Sequence, residues 1–182
     1  IDRFIEVYAG DYIKLGDNPV LNEYVIVGIK ALEENGKDIS LNDYLTNNQV
    51  KDYFDELKIY SVSNAYVNVI ISNAFGVPHD KANIYLESLT EDDIDAWSYN
   101  FGLMALRIAD VNVELQNQLL AKINVIREED YRDADYAGVA LVATSGKTLD
   151  KEPLYKLINE NLTEAGVEFW GNASAASTAN VI

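Results

Sequence analysis

The sequence predicts an all-α protein in which helical hairpins repeat in two layers. Amphipathic segments alternate along the chain with more apolar ones, and strand signals are sparse. Since a hairpin of this kind buries its apolar face only against its neighbours, the alternation favours a stacked repeat. A small residue recurs within the apolar segments at spacings of 37, 37, 35 and 42 positions, at Gly28, Ala65, Gly102, Ala137 and Ala179.

The segments that carry the small residues are predicted to be buried helices. In one of them, the run Leu103-Met104-Ala105-Leu106 leaves almost no polar face. A helix that is apolar nearly all round is buried on both sides. The β-favourable run at 66–71 is assigned to a helix because it falls in register with the other repeats. The predicted segments are Asn22–Glu34, Ser63–Phe75, Trp97–Ala109, Asp135–Thr144 and a fifth that begins at Ser174.

The segments between them are predicted to be amphipathic helices of an outer layer. Each has apolar residues at helical spacing and charged residues on the other face. The apolar stripes are Ile1, Phe4, Ile5 and Tyr8; Val50, Phe54 and Leu57; Ala82, Leu86 and Leu89; Leu115, Leu119 and Ile123; and Leu154, Ile158 and Leu162.

Polar residues predict where the buried helices begin, because their side chains accept hydrogen bonds from free backbone N–H groups. The predicted caps are Asn22, Ser63 or Asn64, Ser98, Asp133 or Asp135, and Ser174 or Ser177.

Length, charge and composition limit the classes of function. The 182 residues fit a single domain over 1–182, and the initial Ile indicates a fragment of a larger protein. A net charge of −16 disfavours nucleic acid and anionic membranes as partners. No run is long and apolar enough for membrane insertion. The absence of cysteine excludes disulfides, thiol nucleophiles and zinc–thiolate sites.

Two stretches carry a resemblance to a known family. Residues 133–141, Asp-Ala-Asp-Tyr-Ala-Gly-Val-Ala-Leu, resemble the opening of an inner helix in the α/α-toroid fold of terpenoid cyclases and prenyltransferases. Residues 166–179 resemble the next opening, a glycine–aromatic turn followed by a helix start rich in Ser, Ala and Thr. The resemblance extends to prenyltransferase-like repeats of bacterial secreted proteins. It implies an α/α toroid, or an incomplete arc of one, at a bacterial cell surface or outside the cell.

The catalytic motifs of the toroid enzymes are at most partly present in the sequence. Squalene-type cyclases use an Asp-x-Asp-Asp acid, whereas here Asp133 and Asp135 are followed by Tyr136. The favoured interpretation is that the two aspartates cap a helix, which is worth about 0.5–2 kcal/mol. Protein prenyltransferases bind zinc through Asp, Cys and His, and this chain has no Cys and one His.

Two further polar features are interpreted as structural. His79 follows Pro78 without a second metal ligand or a serine partner nearby, so it is predicted to be an exposed loop residue. The acidic run at 91–95 lacks the spacing of a calcium loop and is predicted to be a solvated helix start. We therefore expect no catalytic residues, no metal and no cofactor.

The resulting functional prediction is a non-catalytic binding or adhesion module that takes a small molecule, a glycan or a peptide. The alternatives are a terpenoid cyclase-like or polysaccharide lyase-like enzyme on the same scaffold, and a purely structural spacer. Residues near the starts of the buried helices are the candidate ligand contacts, because aromatic rings there could stack on a ligand. They are Trp97, Tyr99, Asp133, Asp135, Tyr136, Phe169 and Trp170.

Overall fold

The protein is mostly helical, which confirms the all-α prediction. The computed structural model describes residues 13–15, 20–124, 134–148, 150–169 and 172–174. Among these residues, no helix has the length and apolar composition that a membrane crossing requires. The α-helices are α1 (Glu23–Glu34), α2 (Asn47–Glu56), α3 (Val62–Phe75), α4 (Asp80–Ser88), α5 (Tyr99–Ala109), α6 (Val113–Asn124), α7 (Ala134–Ala143) and α8 (Glu152–Asn161).

Short elements complete the described part of the chain. Single 3-10 turns cover Leu41–Asp43, Glu91–Asp93 and Ala96–Ser98. Two small antiparallel sheets contain the strands β1 (Lys14–Leu15), β2 (Val20–Leu21), β3 (Leu162–Thr163), β4 (Gly166–Phe169) and β5 (Asn172–Ala173).

The odd-numbered helices coincide with the predicted apolar segments. Four of the five recurring small residues lie on α1, α3, α5 and α7, one on each. The β-favourable run at 66–71 lies within α3, as the repeat register predicts. The fifth small residue, Ala179, lies outside the described residues. The even-numbered helices coincide with four of the predicted amphipathic stripes, and the stripe at Ile1–Tyr8 also lies outside the described residues.

Contacts along the chain divide it into two compact units. The first runs to Ser88 and includes Ile108–Val111, and the second comprises Leu89–Arg107 and the chain from Asn112 onward. In the first unit, α1 packs against α3 and α3 packs against α4. Its core brings together Ile13, Leu21, Val25, Ile26, Ile29, Ile39, Leu41, Leu45, Val50, Phe54, Ile71, Phe75 and Val77.

In the second unit, α5 and α7 lie side by side and run parallel. Near their starts, Asn100 Nδ2 donates a long hydrogen bond of 3.4 Å to the Tyr136 carbonyl. Near their ends, the Arg107 guanidinium donates to the carbonyls of Ala143 and Ser145. Because the first turns of α5 and α7 contact each other, and so do their last turns, the two helices run in the same direction. Helix α8 packs against α7, and β4 contacts both.

The predicted burial of the odd-numbered helices is only partly correct. Ala65 and Ala137 are fully buried, but Tyr24 is 81% exposed and Val27 45% exposed on α1. On α7, Val142 is 62% exposed. These helices therefore keep an apolar strip in solvent, because their neighbours cover the remaining faces only.

One of the predicted helix starts is wrong by two or three residues. Asn22 caps α1 as predicted, accepting from the N–H groups of Tyr24 and Val25. Ser61, not Ser63 or Asn64, caps α3, because starting the helix at Val62 buries that side chain. Helix α5 begins directly after Ser98, as predicted, and Asp95 caps the 3-10 turn that precedes it.

The glycine–aromatic stretch is the largest difference from the predicted secondary structure. Residues 166–169 form the central strand of the sheet β3-β4-β5 rather than a turn into a helix. Gly166 has a φ of 120°, which only glycine adopts readily, and this allows the tight connection from β3. Leu162, predicted to continue the α8 stripe, lies in β3 and is 54% exposed.

Candidate functional site

An open cleft lies in the second unit, among the residues that the structure describes. Its volume is about 460 Å³, and it lies between the connection that follows α4 and the start of α6. The lining residues are Leu89, Thr90, Glu91, Asp92, Asn112, Glu114, Leu115 and Gln118. We refer to it as the 89–118 cleft.

One wall of the cleft is a 3-10 turn held by hydrogen bonds from Thr90 to Asp93. The N–H and hydroxyl of Thr90 donate to Asp93 Oδ2 at 2.8 and 2.7 Å. These bonds, the hydroxyl's first, lower the pKa of Asp93 from its usual range. Because Asp93 is engaged in this way, the carboxylates of Glu91 and Asp92 are the ones left to line the cleft.

The other wall is held in place by Asn112. Its backbone is left-handed, with a φ of 50°, a conformation that asparagine tolerates better than most residues. Asn112 Nδ2 donates to the Leu89 carbonyl at 3.0 Å, and Oδ1 accepts from the Leu115 N–H at 3.3 Å. One side chain therefore caps α6 and ties its start to the segment after α4.

An ion pair connects the cleft to a predicted ligand contact. Lys122 on α6 pairs with Glu91, and its ammonium donates to the Tyr99 hydroxyl at 3.3 Å. The same ammonium lies 5.3 Å from the centre of the Tyr99 ring. The bond to Glu91, and then the one to Tyr99, raise the pKa of Lys122. Lys122 thus remains charged at neutral pH and fixes the position of Glu91.

The cleft has the chemistry of a binding site for a neutral or cationic polar molecule. Leu89 and Leu115 are buried and supply an apolar floor, whereas Asp92, Glu114 and Gln118 are exposed at the rim. Carboxylate oxygens accept hydrogen bonds from hydroxyl or ammonium groups, and an anion would meet repulsion there. The titratable groups of the lining are carboxylates, and the lining contains no histidine or cysteine.

Comparison with known protein families, curated proteins and solved structures finds no match to this chain.

Only some of the predicted ligand-contact residues lie in the described part of the chain. Tyr99 is the first residue of α5, and Tyr136 lies in the first turn of α7. The 3.4 Å bond from Asn100 to the Tyr136 carbonyl brings these two helix starts together. Both tyrosines are partly buried, and neither lines the cleft as the structure describes it.

The side chains of the other predicted ligand-contact residues are not among those that the structure describes. Asp133 and Trp170 lie outside the described residues. For Trp97, Asp135 and Phe169 only the backbone is described: a 3-10 turn, α7 and β4 respectively. Within the described residues, no group of three or more acidic, histidine or cysteine side chains could hold a metal ion.

His79 lies in the connection before α4, as predicted, but the prediction that it is exposed is wrong. His79 is 2% exposed and stacks on Phe54, with ring centroids 4.1 Å apart and an interplanar angle of 14°. Its Nε2 is buried without a hydrogen-bond partner. Burial, and then the charge of Lys81, lower the pKa of His79 to about 4. The residue is a neutral part of the core of the first unit.

Part of the cleft coincides with an acidic run that is evident in the sequence, but the sequence does not predict a cleft there. The acidic run at 91–95 was interpreted as a solvated helix start, and its capped 3-10 turn agrees with that. Asn112 was missed, although Asp110 and Asn112 two positions apart are a signal for left-handed backbone between two helices. Its hydrogen bond to Leu89 joins residues that are 23 positions apart, and no local sequence pattern predicts such a contact.

Proposed function

We propose that this chain is a non-catalytic binding module of a bacterial secreted or cell-surface protein. Its scaffold in this proposal is a two-layered α/α toroid, or an incomplete arc of one, built from the repeating hairpins. The parallel packing of α5 and α7 supports the scaffold, because inner helices of successive hairpins in such a repeat lie side by side.

The observation that carries the binding function is the 89–118 cleft. It combines the buried side chains of Leu89 and Leu115 with the exposed acidic groups Asp92 and Glu114. Such a lining can accept hydrogen bonds from the hydroxyl groups of a neutral ligand or pair with a cation. The ligand class in this proposal is therefore a neutral glycan or a small cationic molecule.

Calorimetric titration tests the proposal with three probes: a panel of neutral oligosaccharides, a small aliphatic diamine, and cobalamin. The double variant Asp92→Asn plus Glu114→Gln removes both rim charges and keeps the side-chain shapes. The matched control, Glu160→Gln plus Glu164→Gln, removes the same charge from exposed sites on α8 and the β3-β4 turn.

We expect a probe from the first two classes to bind the unmodified chain and the control equally. Its affinity should fall about tenfold in the cleft variant, since a hydrogen bond to a charged group contributes about 1.5–3 kcal/mol. Binding that survives unchanged in the cleft variant, or no binding by any probe, would contradict the proposal.

A further inference from the structure

The dipeptide Asn35-Gly36 at the end of α1 brings together two residues that can react with each other. Asn35 is the one asparagine, of eighteen in the sequence, that a glycine follows. Both residues are exposed, so water reaches them. Gly36 has a φ of 76°, and a Cβ added to it would meet no atom within 4 Å. The site is therefore open to solvent and unhindered around the glycine.

The chemistry open to this pair is the loss of the asparagine amide. The backbone nitrogen of the glycine loses its proton and attacks the side-chain carbon Cγ of the asparagine. The new C–N bond closes a cyclic imide, while the Cγ–Nδ2 bond breaks and the departing nitrogen takes up a proton and leaves as ammonia. Water then opens the ring at either carbonyl, which gives aspartate or isoaspartate. The reaction needs only water, and glycine favours it because its backbone rotates freely.

Hydrogen bonds at the end of α1 hold the two reacting groups apart. Asn35 Nδ2 donates to the Ala31 carbonyl at 2.7 Å. The Gly36 N–H donates to the Glu33 carbonyl at 3.0 Å. Asn35 has a ψ of 15°, which places its Cβ and the Gly36 nitrogen on opposite sides of the Cα–C bond. Ring closure needs the two atoms on the same side, so the pair reacts only after this turn has opened.

The product of the reaction cannot rebuild the same turn. A carboxylate at position 35 has no N–H group to donate to the Ala31 carbonyl. It also adds a negative charge at the C-terminal end of a helix, where the helix dipole disfavours it. Glu33, Glu34 and Asp38 already make this part of the sequence acidic. Isoaspartate in addition lengthens the backbone by one carbon and shifts the register of the turn.

We propose that Asn35-Gly36 is a self-modification site. Opening of the last turn of α1 starts the reaction, and the carboxylate that forms keeps the turn open. Ser40 limits the opening, because its hydroxyl donates to Glu33 Oε1 at 2.9 Å and ties this turn to the 3-10 turn at Leu41–Asp43. Since ammonia is lost, the modified fraction increases with the time that each molecule spends with the turn open. The proposal does not depend on the 89–118 cleft, which belongs to the other unit.

The test follows the whole chain during incubation in mildly alkaline buffer. Ion-exchange chromatography separates the more acidic product, and peptide mass spectrometry locates it in the sequence. The reference sites are Asn42 and Asn48, which are exposed but precede Asp43 and Gln49 instead of a glycine. A parallel sample in urea gives the rate for the unfolded chain.

We expect the modification to accumulate at Asn35 and not at the two reference asparagines. The folded chain should react about tenfold more slowly than the unfolded chain, or slower still, since two hydrogen bonds must break first. Ser40→Ala should speed the reaction of the folded chain about threefold to tenfold, because one hydrogen bond that holds the turn is lost. The matched control Ser88→Ala, which removes a serine hydrogen bond at the end of α4, should not.

Asn35→Asp represents the aspartate product and separates its effect on the fold from the rate of the reaction. We expect it to lower the equilibrium constant of folding about fivefold to tenfold, as measured by urea unfolding. Asn48→Asp makes the same change of charge in the first turn of α2, where the dipole favours a carboxylate. It should therefore not lower the constant.

Each part of the proposal has a result that overturns it. No modification at Asn35 in the folded chain, or equal modification at Asn42 or Asn48, would contradict a specific site. Equal rates in the folded and unfolded chains, or no acceleration by Ser40→Ala, would contradict control by the last turn of α1. An Asn35→Asp variant as stable as the unaltered chain would contradict the structural consequence.

Discussion

Arg107 and Ala143 lie 36 positions apart in the sequence, and the Arg107 guanidinium donates a hydrogen bond to the Ala143 carbonyl. Asn100 and Tyr136 have the same separation and are also joined by a hydrogen bond. The spacing is close to that of the recurring small residues, Gly102 and Ala137 among them. Two hydrogen bonds between α5 and α7 thus share a separation of 36 positions.

Arg107 should stabilise the end of α7, because the guanidinium binds carbonyls that lack partners within the helix. We expect Arg107→Met to lower the free energy of unfolding by about 1–3 kcal/mol, and Arg107→Lys to lower it less. Urea unfolding measures the change. Lys147→Met, an exposed site with the same change of charge, is the control, and an equal loss there would contradict the assignment.

Lys81 should have the same role at the end of α2. Its ammonium donates to the carbonyls of Phe54, Asp55 and Leu57 at 3.3, 2.6 and 3.2 Å. We expect Lys81→Met to cost about 1–2 kcal/mol, since three carbonyls lose a charged donor. Lys51→Met on the exposed face of α2 changes the net charge equally and should cost less than about 0.5 kcal/mol. Thermal unfolding of the two variants makes the comparison.

His79 should make the protein less stable in weak acid. Its folded pKa of about 4 is below the unfolded value of 6.5, so the unfolded chain binds the proton first as the pH falls. The full stability is present above about pH 6.5, and up to about 3 kcal/mol is lost as the pH approaches 4.

The variant His79→Phe isolates this effect from the titration of the carboxylates. It keeps a flat ring against Phe54 and removes the titrating group. We expect its unfolding free energy to fall less than that of the unmodified chain between neutral pH and pH 4. Parallel curves for the two proteins would show that His79 is accessible to protons in the folded state.

Two buried asparagines should differ in their contribution to stability. Asn68 and Asn100 both have a buried Oδ1 without a partner. Asn68 Nδ2 donates to the Asn64 carbonyl within α3, whereas Asn100 joins α5 to α7. We expect Asn100→Ala to cost about 1 kcal/mol more than Asn68→Ala, because only the first removes a contact between helices. Chemical denaturation measures both, and the reverse order would contradict the role of Asn100.

The helices could be predicted from the sequence because their signals are local. The small residue and apolar run of each odd-numbered helix, and the stripe of each even-numbered one, lie within a few turns of chain. Helix starts were less secure, since Ser61 and Ser63 are both suitable caps and the burial of Val62 decides between them.

The candidate site could not be predicted because it depends on contacts between distant residues. The hydrogen bond from Asn112 to Leu89 shapes the cleft. The ring of Phe54, which lies on α2, covers His79. In both cases the local sequence is polar and typical of a loop. The three-stranded sheet at 162–173 replaced a predicted turn for a similar reason, because strand pairing outweighed a pattern of glycine and aromatic residues.

Disulfide trapping tests the parallel register of α5 and α7 most directly, and the chain contains no native cysteine to interfere. Cysteine pairs at Asn100 with Tyr136 and at Arg107 with Ser145 should cross-link under mild oxidation, the first faster than the second because the long Arg107 side chain spans the second gap. The exchanged pairs, Asn100 with Ser145 and Arg107 with Tyr136, should not, because about 10 Å or more of helix separates them. Faster cross-linking of the exchanged pairs would show antiparallel helices and contradict the repeat on which the proposed scaffold depends.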